Sequence, residues 1–251
     1  MSDPFAYLRR LTAARIGLGR AGVSLPTSRV LEFQMAHAQA RDAIHAPLDA
    51  GRVLEELADW HAVIVESRAV DRRAYLERPD EGRRLSATSR EKLVGRFDCA
   101  LVLGDGLSAR AAQDHGPALV RALRAATPTW RWAPPVVATM ARVALGDEVA
   151  QAFGAQLVVM LIGERPGLSS PDSLGAYITL APAPGMTSDA QRNCVSNIRP
   201  AGLPIAEAVR KIVAIGALAL RMKQTGVALK EDDAVALFER DSRGIEEGRT
   251  S

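Results

Sequence analysis

The run Asp98-Cys99-Ala100-Leu101-Val102-Leu103 passes directly into Gly104-Asp105-Gly106-Leu107-Ser108. Apolar side chains follow one another from Cys99 to Leu103 without a polar alternate, so a strand here must be covered by protein on both faces. The glycine-aspartate-glycine ending marks a sharp turn beyond it. Gln156 to Ile162 has the same character and ends in Gly163-Glu164-Arg165-Pro166-Gly167. Shorter apolar runs recur at Ala62–Val65, Val136–Ala138 and Tyr177–Leu180. Between and after them lie helical patterns at Pro117–Ala126, with proline at the first position, at Asp147–Phe153 and at Pro204–Gln224. Unalternating strands separated by helices predict an α/β fold, a mostly parallel sheet flanked by helices in the Rossmann or flavodoxin manner. In such sheets ligands bind beyond the carboxyl ends of the strands. The turns at Gly104–Ser108 and Gly163–Ser169 are therefore the expected place of a site.

Working outward, the first part of the chain reads as helical. Leu8–Ile16 is a short helix ended by glycines at 17, 19 and 22, and Pro26-Thr27-Ser28 opens a second, with Thr27 or Ser28 as its N-cap and an end near Ala46-Pro47. The expected organisation is a small helical N-terminal region over residues 1–60, an α/β domain over 61–229 and a charged C-terminal tail over 230–251.

Composition excludes several functions. A net charge of +3, with arginines dispersed among acidic residues, argues against nucleic-acid binding. Only Cys99 and Cys194 are present, which rules out a disulfide framework and suits a reducing cytoplasm. Ile212–Leu220 is apolar but bracketed by Arg210, Lys211 and Arg221, too short to cross a bilayer. Met1-Ser2-Asp3-Pro4 has neither the basic nor the apolar region of a secretory signal. The expectation is a soluble cytoplasmic protein without a membrane or nucleic-acid partner.

Gly17-Leu18-Gly19-Arg20-Ala21-Gly22 matches the dinucleotide fingerprint, but no strand precedes it, so it reads as a linker between helices. Asp114-His115-Gly116 lacks the spacing of a cobalt-ligating histidine motif, and His115 reads as a cap or surface residue. His37, His45 and His61 show no metal-ligand spacing, and no protein metal site is expected. Asp105 to Ser108 supports two readings equally, backbone N–H groups offered to an anion or amide, or capping of the next helix. Glu164-Arg165, held between glycines and a proline at a strand end, is either a ligand-facing pair or an internal ion pair. Cys194 lies in the polar stretch Arg192-Asn193-Cys194-Val195-Ser196-Asn197-Ile198, where a small cysteine usually packs.

Five stretches together resemble the small subunit of ethanolamine ammonia-lyase. They are 14–22 (Ala14 to Gly22), 75–85 (Tyr75-Leu76-Glu77-Arg78-Pro79-Asp80-Glu81-Gly82-Arg83-Arg84-Leu85), 162–174 (Ile162 to Leu174), 192–198 (Arg192 to Ile198) and the shorter Asp105-Gly106-Leu107-Ser108. The third and fourth are the most specific. The resemblance implies a large barrel subunit as partner, ethanolamine as substrate of the complex, acetaldehyde and ammonia as products, and adenosylcobalamin at the subunit interface. Carried over by position, the family's cobalamin contacts fall on Val143, Glu164 and Cys194. No catalytic acid or base and no metal ligand is implied on this chain, because the cofactor keeps its own base on cobalt and supplies the radical. Some relatives carry a long N-terminal extension that directs them into a bacterial microcompartment, whereas this chain opens close to the family core. A free cytoplasmic enzyme is thus expected at least as much as an encapsulated one. The competing expectations are a standalone flavodoxin-like nucleotide or flavin domain and a noncatalytic assembly protein.

Overall fold

The structure is a computed structural model that describes residues 5–12 and 14–229. The 230–251 tail expected from the sequence lies outside the described residues. The N-terminal segment holds α1 (Leu8–Leu11), α2 (Thr27–His45) and α3 (Ala50–Glu56). The glycines at 17, 19 and 22 all have positive φ in the turn region joining α1 to α2. Pro26, with no side-chain cap, precedes α2, in place of the expected Thr27 or Ser28 cap. Val53 of α3 and the following Leu57 are fully buried in the core.

The sheet follows, with β1 (Val63–Glu66), α4 (Arg72–Glu77), α5 (Ala87–Glu91), β2 (Cys99–Gly104), α6 (Ala109–Ala126), β3 (Val136–Thr139), α7 (Leu145–Phe153), β4 (Leu157–Gly163), β5 (Leu174–Leu180), β6 (Asn193–Ile198) and α8 (Ile205–Met222). The strand order is β1-β3-β2-β4-β5-β6. The first four strands are mutually parallel, as their pairings Val63 with Val136, Val102 with Val136 and Leu101 with Val159 show. The last two run antiparallel, with Val159 opposite Ile178 and Tyr177 opposite Cys194. The expectation of a mostly parallel, Rossmann- or flavodoxin-like sheet is therefore corrected to a mixed six-stranded sheet flanked by helices. The reason is the connection between β4 and β5, residues 164–173, which contains no helix. A parallel return needs a crossover of about a dozen residues or more, usually helical. The chain turns back instead.

Two further expectations are corrected. The helix expected from Pro117 begins at Ala109, with the Ser108 side chain accepting from the Ala111 N–H as N-cap, and Pro117 lies inside it. His115 is consequently a mid-helix residue, mostly buried, 3.7 Å from Asp172. The stretch around Cys194 is a strand, and a one-sided one. Asn193, Val195 and Ile198 are buried while Cys194, Ser196 and Asn197 are exposed, the alternation of a sheet covered on one face.

The core has two layers. On one face Leu101, Leu103, Leu157, Val159, Leu161 and Ile178 pack against α3, α6 and α8 through Val53, Leu119, Leu123, Ile212 and Ile215. On the other, Ala100, Val102, Val136, Val158 and Met160 meet Leu145, Val149 and Phe153 of α7. Every residue of β2 and β4 is buried. An internal ion pair ties the second layer to the approach to edge strand β6. Arg192, just before β6, donates to both carboxylate oxygens of Asp147 on α7 at 2.7 Å each. Their side chains are 2% and 1% exposed.

Candidate functional site

Because β2, β3 and β4 are parallel, their carboxyl ends open on the same edge of the sheet. A cavity of about 450 Å³ lies there. Gly106 and Leu107 line it from the turn after β2, Arg142 and Val143 from the loop after β3, and Gly163, Glu164 and Arg165 from the end of β4. Tyr75 of α4 and Tyr177 of β5 complete the wall.

The turns are fixed to one another by polar contacts. Asp105 is 4% exposed, and its carboxylate accepts from the Met140 and Ala141 N–H groups at 2.8 and 2.9 Å. Burial pushes this carboxyl above its ordinary range, against the pull of those two N–H groups and of Arg72. Of the two readings left open for Asp105 to Ser108, capping belongs to Ser108. Asp105 does something the sequence did not suggest and ties the end of β2 to the loop that carries Val143. The Leu107 N–H donates to the Gly163 carbonyl at 2.9 Å. At Gly163 a side chain would lie 2.0 Å from the Ser108 carbonyl oxygen, so glycine is what lets the two strand-end turns touch.

Glu164 follows β4 directly. One of its oxygens, Oε2, accepts from the Ser173 hydroxyl and, at 3.2 Å, from the Asn197 N–H at the end of β6. The other, Oε1, makes no hydrogen bond among the described residues and lies beside Gly175, where a Cβ would come within 2.9 Å of it. The internal ion pair considered for Glu164-Arg165 is not formed. Arg165 is exposed and has no carboxylate partner among the described residues.

Of the three residues singled out from the sequence, Val143 and Glu164 thus share one cavity. Cys194 does not line it, but stands opposite Tyr177, which does. Burial chiefly pushes the Tyr177 hydroxyl above its ordinary pKa, with neighbouring Cys194 and Glu164 adding to the effect. Cys194 is exposed, with its Sγ 3.3 Å from the Ser196 hydroxyl. The packing role considered for it is corrected, because its face of β6 has no covering layer.

Sequence reasoning missed Arg142 and Tyr75. The Arg142 guanidinium stacks 4.2 Å from the centre of the Tyr75 ring, and that of Arg72 lies 4.6 Å from the same centre. Tyr75 is fully buried and its hydroxyl donates to the Ala141 carbonyl at 3.1 Å. Arg72 also donates to Ile44 and Gly106, linking the end of α2 to the turn after β2. The sequence offered Tyr75 only as the head of the 75–85 stretch and Arg142 only as a neighbour of Val143, too little to point at a stack across sixty-odd residues.

A second cavity, of about 470 Å³, lies beside α7 and the segment between β5 and β6. Its charges largely answer one another, Arg84 with Glu148 at 3.0 Å and Arg192 with Asp147. Among the described residues no group of three or more His, Cys, Asp or Glu side chains is arranged to hold a metal ion.

The family profile described as "Ethanolamine ammonia-lyase light chain (EutC)" matches residues 2–230. The chain is similar to the "Ethanolamine ammonia-lyase small subunit" of Ralstonia nicotianae, 49% identical over 97% of this chain and 94% of the relative. The protein of the same name from Bradyrhizobium diazoefficiens is 51% identical over 93% and 95%, and that of Pseudomonas putida is 46% identical over 98% and 94%.

Proposed function

The chain belongs to the ethanolamine ammonia-lyase light-chain family, and from that premise we propose that it closes over adenosylcobalamin at an interface with a large catalytic subunit. The family's enzyme is a carbon–nitrogen lyase of ethanolamine degradation that uses this cofactor. In the reading proposed for this chain, Val143, Glu164 and Cys194 contact the cofactor, ethanolamine is converted to acetaldehyde and ammonia by the complex, and no catalytic acid or base comes from here. Once bound, the cofactor supplies the radical chemistry, and the protein supplies position and exclusion of water.

One observation carries the reading. Val143 and Glu164 open on one cavity, and Tyr177 extends that wall to Cys194 on the uncovered face of β6. The residues suit the rim of a corrinoid, which is lined with amides. Glu164 has Oε2 held by Ser173 and Asn197 and keeps Oε1 for an amide N–H. Val143, Leu107 and Ile162 offer apolar contact. The cavity is too small to enclose a corrinoid, so it seats an edge and leaves the remainder to the partner. No described helix is long and apolar enough to cross a membrane. We place the complex in the cytoplasm, free or within a microcompartment.

The test is adenosylcobalamin-dependent release of acetaldehyde from ethanolamine, with this chain alone, the large subunit alone, and both. Turnover is expected only in the mixture. Glu164→Ala should weaken cofactor binding by the assembled enzyme about tenfold, the worth of one charge-assisted hydrogen bond. Equal affinity in the two proteins would remove Glu164 from the contact set. A nucleotide or flavin domain would instead bind its ligand as the isolated chain, and nothing in the cavity favours that.

A further inference from the structure

The cavity carries more positive charge than Glu164 uses. Its charged side chains are Arg142, Arg165 and Glu164. A guanidinium has five N–H donors, yet Arg142 makes one side-chain hydrogen bond among the described residues, from Nη2 to the Tyr75 carbonyl at 3.0 Å. Its Nε is buried without an acceptor. No carboxylate lies within ion-pair distance of Arg142 among the described residues, and the same holds for Arg165. Arg72, on the other side of the Tyr75 ring, contrasts with both, since it is paired with Asp105 at 3.4 Å.

Arg142 is held in place while it waits. Its backbone N–H donates to the Gly82 carbonyl at 2.8 Å, and its guanidinium sits over the Tyr75 ring. A fixed, unneutralised guanidinium on a cavity wall, with a second cation on the adjoining loop, is an arrangement for a tetrahedral oxyanion. A lone amide would not call for two cations. The rim of cobalamin carries one anionic group, the phosphodiester that joins the nucleotide tail to the ring.

We infer that Arg142, assisted by Arg165, forms a subsite for that phosphodiester, which rests on the cobalamin reading above and extends it. Glu164 then takes an amide and Arg142 takes the anion, from different loops of the same cavity. The two contacts together define which way round the cofactor's edge is seated.

The experiment is equilibrium dialysis of the complex with its large subunit against three probes. These are cyanocobalamin, cobinamide, which lacks the phosphodiester and nucleotide, and cobinamide phosphate, which restores a phosphate without the base. Arg142→Met is expected to weaken cyanocobalamin and cobinamide phosphate about tenfold, and to leave cobinamide unchanged. Arg142→Lys should recover part of the loss. Arg165→Gln, at an exposed position, should show the same selectivity at a severalfold level, even if Arg142→Met unfolds.

Equal losses on all three probes, or no loss on cyanocobalamin, would overturn the subsite. Glu164→Ala run in parallel keeps the underlying reading separate. If it has no effect while the arginine variants remain phosphate-selective, the Glu164 contact fails and the anion subsite stands. If the wild-type complex binds none of the probes, both are wrong.

Discussion

Within a single sheet, β2 and β4 are sealed on both faces, whereas β6 is covered on one only. The sealed half meets α6 and α8 on one side and α7 on the other. The half made by β5 and β6 meets α8 on the first side; on the second, Tyr177 is partly buried at the margin of the other layer and Cys194 stands exposed. The comparison separates two uses of a strand. In the sealed half side chains are chosen for volume, and the loops beyond them are what faces outward. In the open half the strand itself is a surface, and its polar residues are the message.

The sharpest way to break this contrast is to cut the link between the halves. Arg192→Met leaves Asp147 buried without its partner and should cost about 3–5 kcal/mol in urea unfolding. Loss of less than about 1 kcal/mol would mean that this buried pair adds little to the joint that the β4–β5 ladder already makes. Next, Leu161→Ala in the sealed half should cost about 2–5 kcal/mol by the same assay, the range for truncating a fully buried leucine.

The two cysteines sample the halves directly. Cys99 is buried in the sealed half and burial pushes its thiol from 9.0 up to about 12. The unfolded chain therefore loses this proton first, so stability falls as pH rises from about 9 towards about 12. Cys99→Ala should flatten part of that decline, with Tyr75 and Tyr177, shifted the same way by burial, retaining a further part above the ordinary tyrosine range. A thiol reagent at pH 8 should label Cys194 on the native isolated chain and reach Cys99 only after unfolding. Equal labelling would show the sealed half to be open. The smallest effect is expected from Cys194→Ser, within about 0.5 kcal/mol of wild type on unfolding.

Legibility in the sequence follows the same division. Unbroken apolar runs announced β2 and β4, and their glycine-bounded ends placed the loops that line the cavity. The reversal at β5 was not legible from the apolar runs, because Tyr177 to Leu180 looks the same in either direction. It was the helix-free 164–173 connection that could have shown it. β6 was missed because a half-covered strand of six residues, broken by a bulge, alternates too briefly to stand out from a polar loop. Pro117 misplaced the start of α6, although Ala112, Gly116, Leu119, Val120 and Leu123 already had helical spacing back towards Ser108. Glu164 could be reached from motif and position. Arg142 could not, since its significance depends on Tyr75 and on partners it lacks, and neither fact is local in sequence.

The Arg192–Asp147 pair has a consequence for inheritance. Each residue is tolerable in that interior only because the other is there, and they sit on separate elements, α7 and the approach to β6. A lineage that altered one would pass through a chain with a stranded interior charge before it could alter the other. Across related chains, positions 147 and 192 should therefore be kept or exchanged as a unit, a correlated pair spanning forty-five residues of sequence.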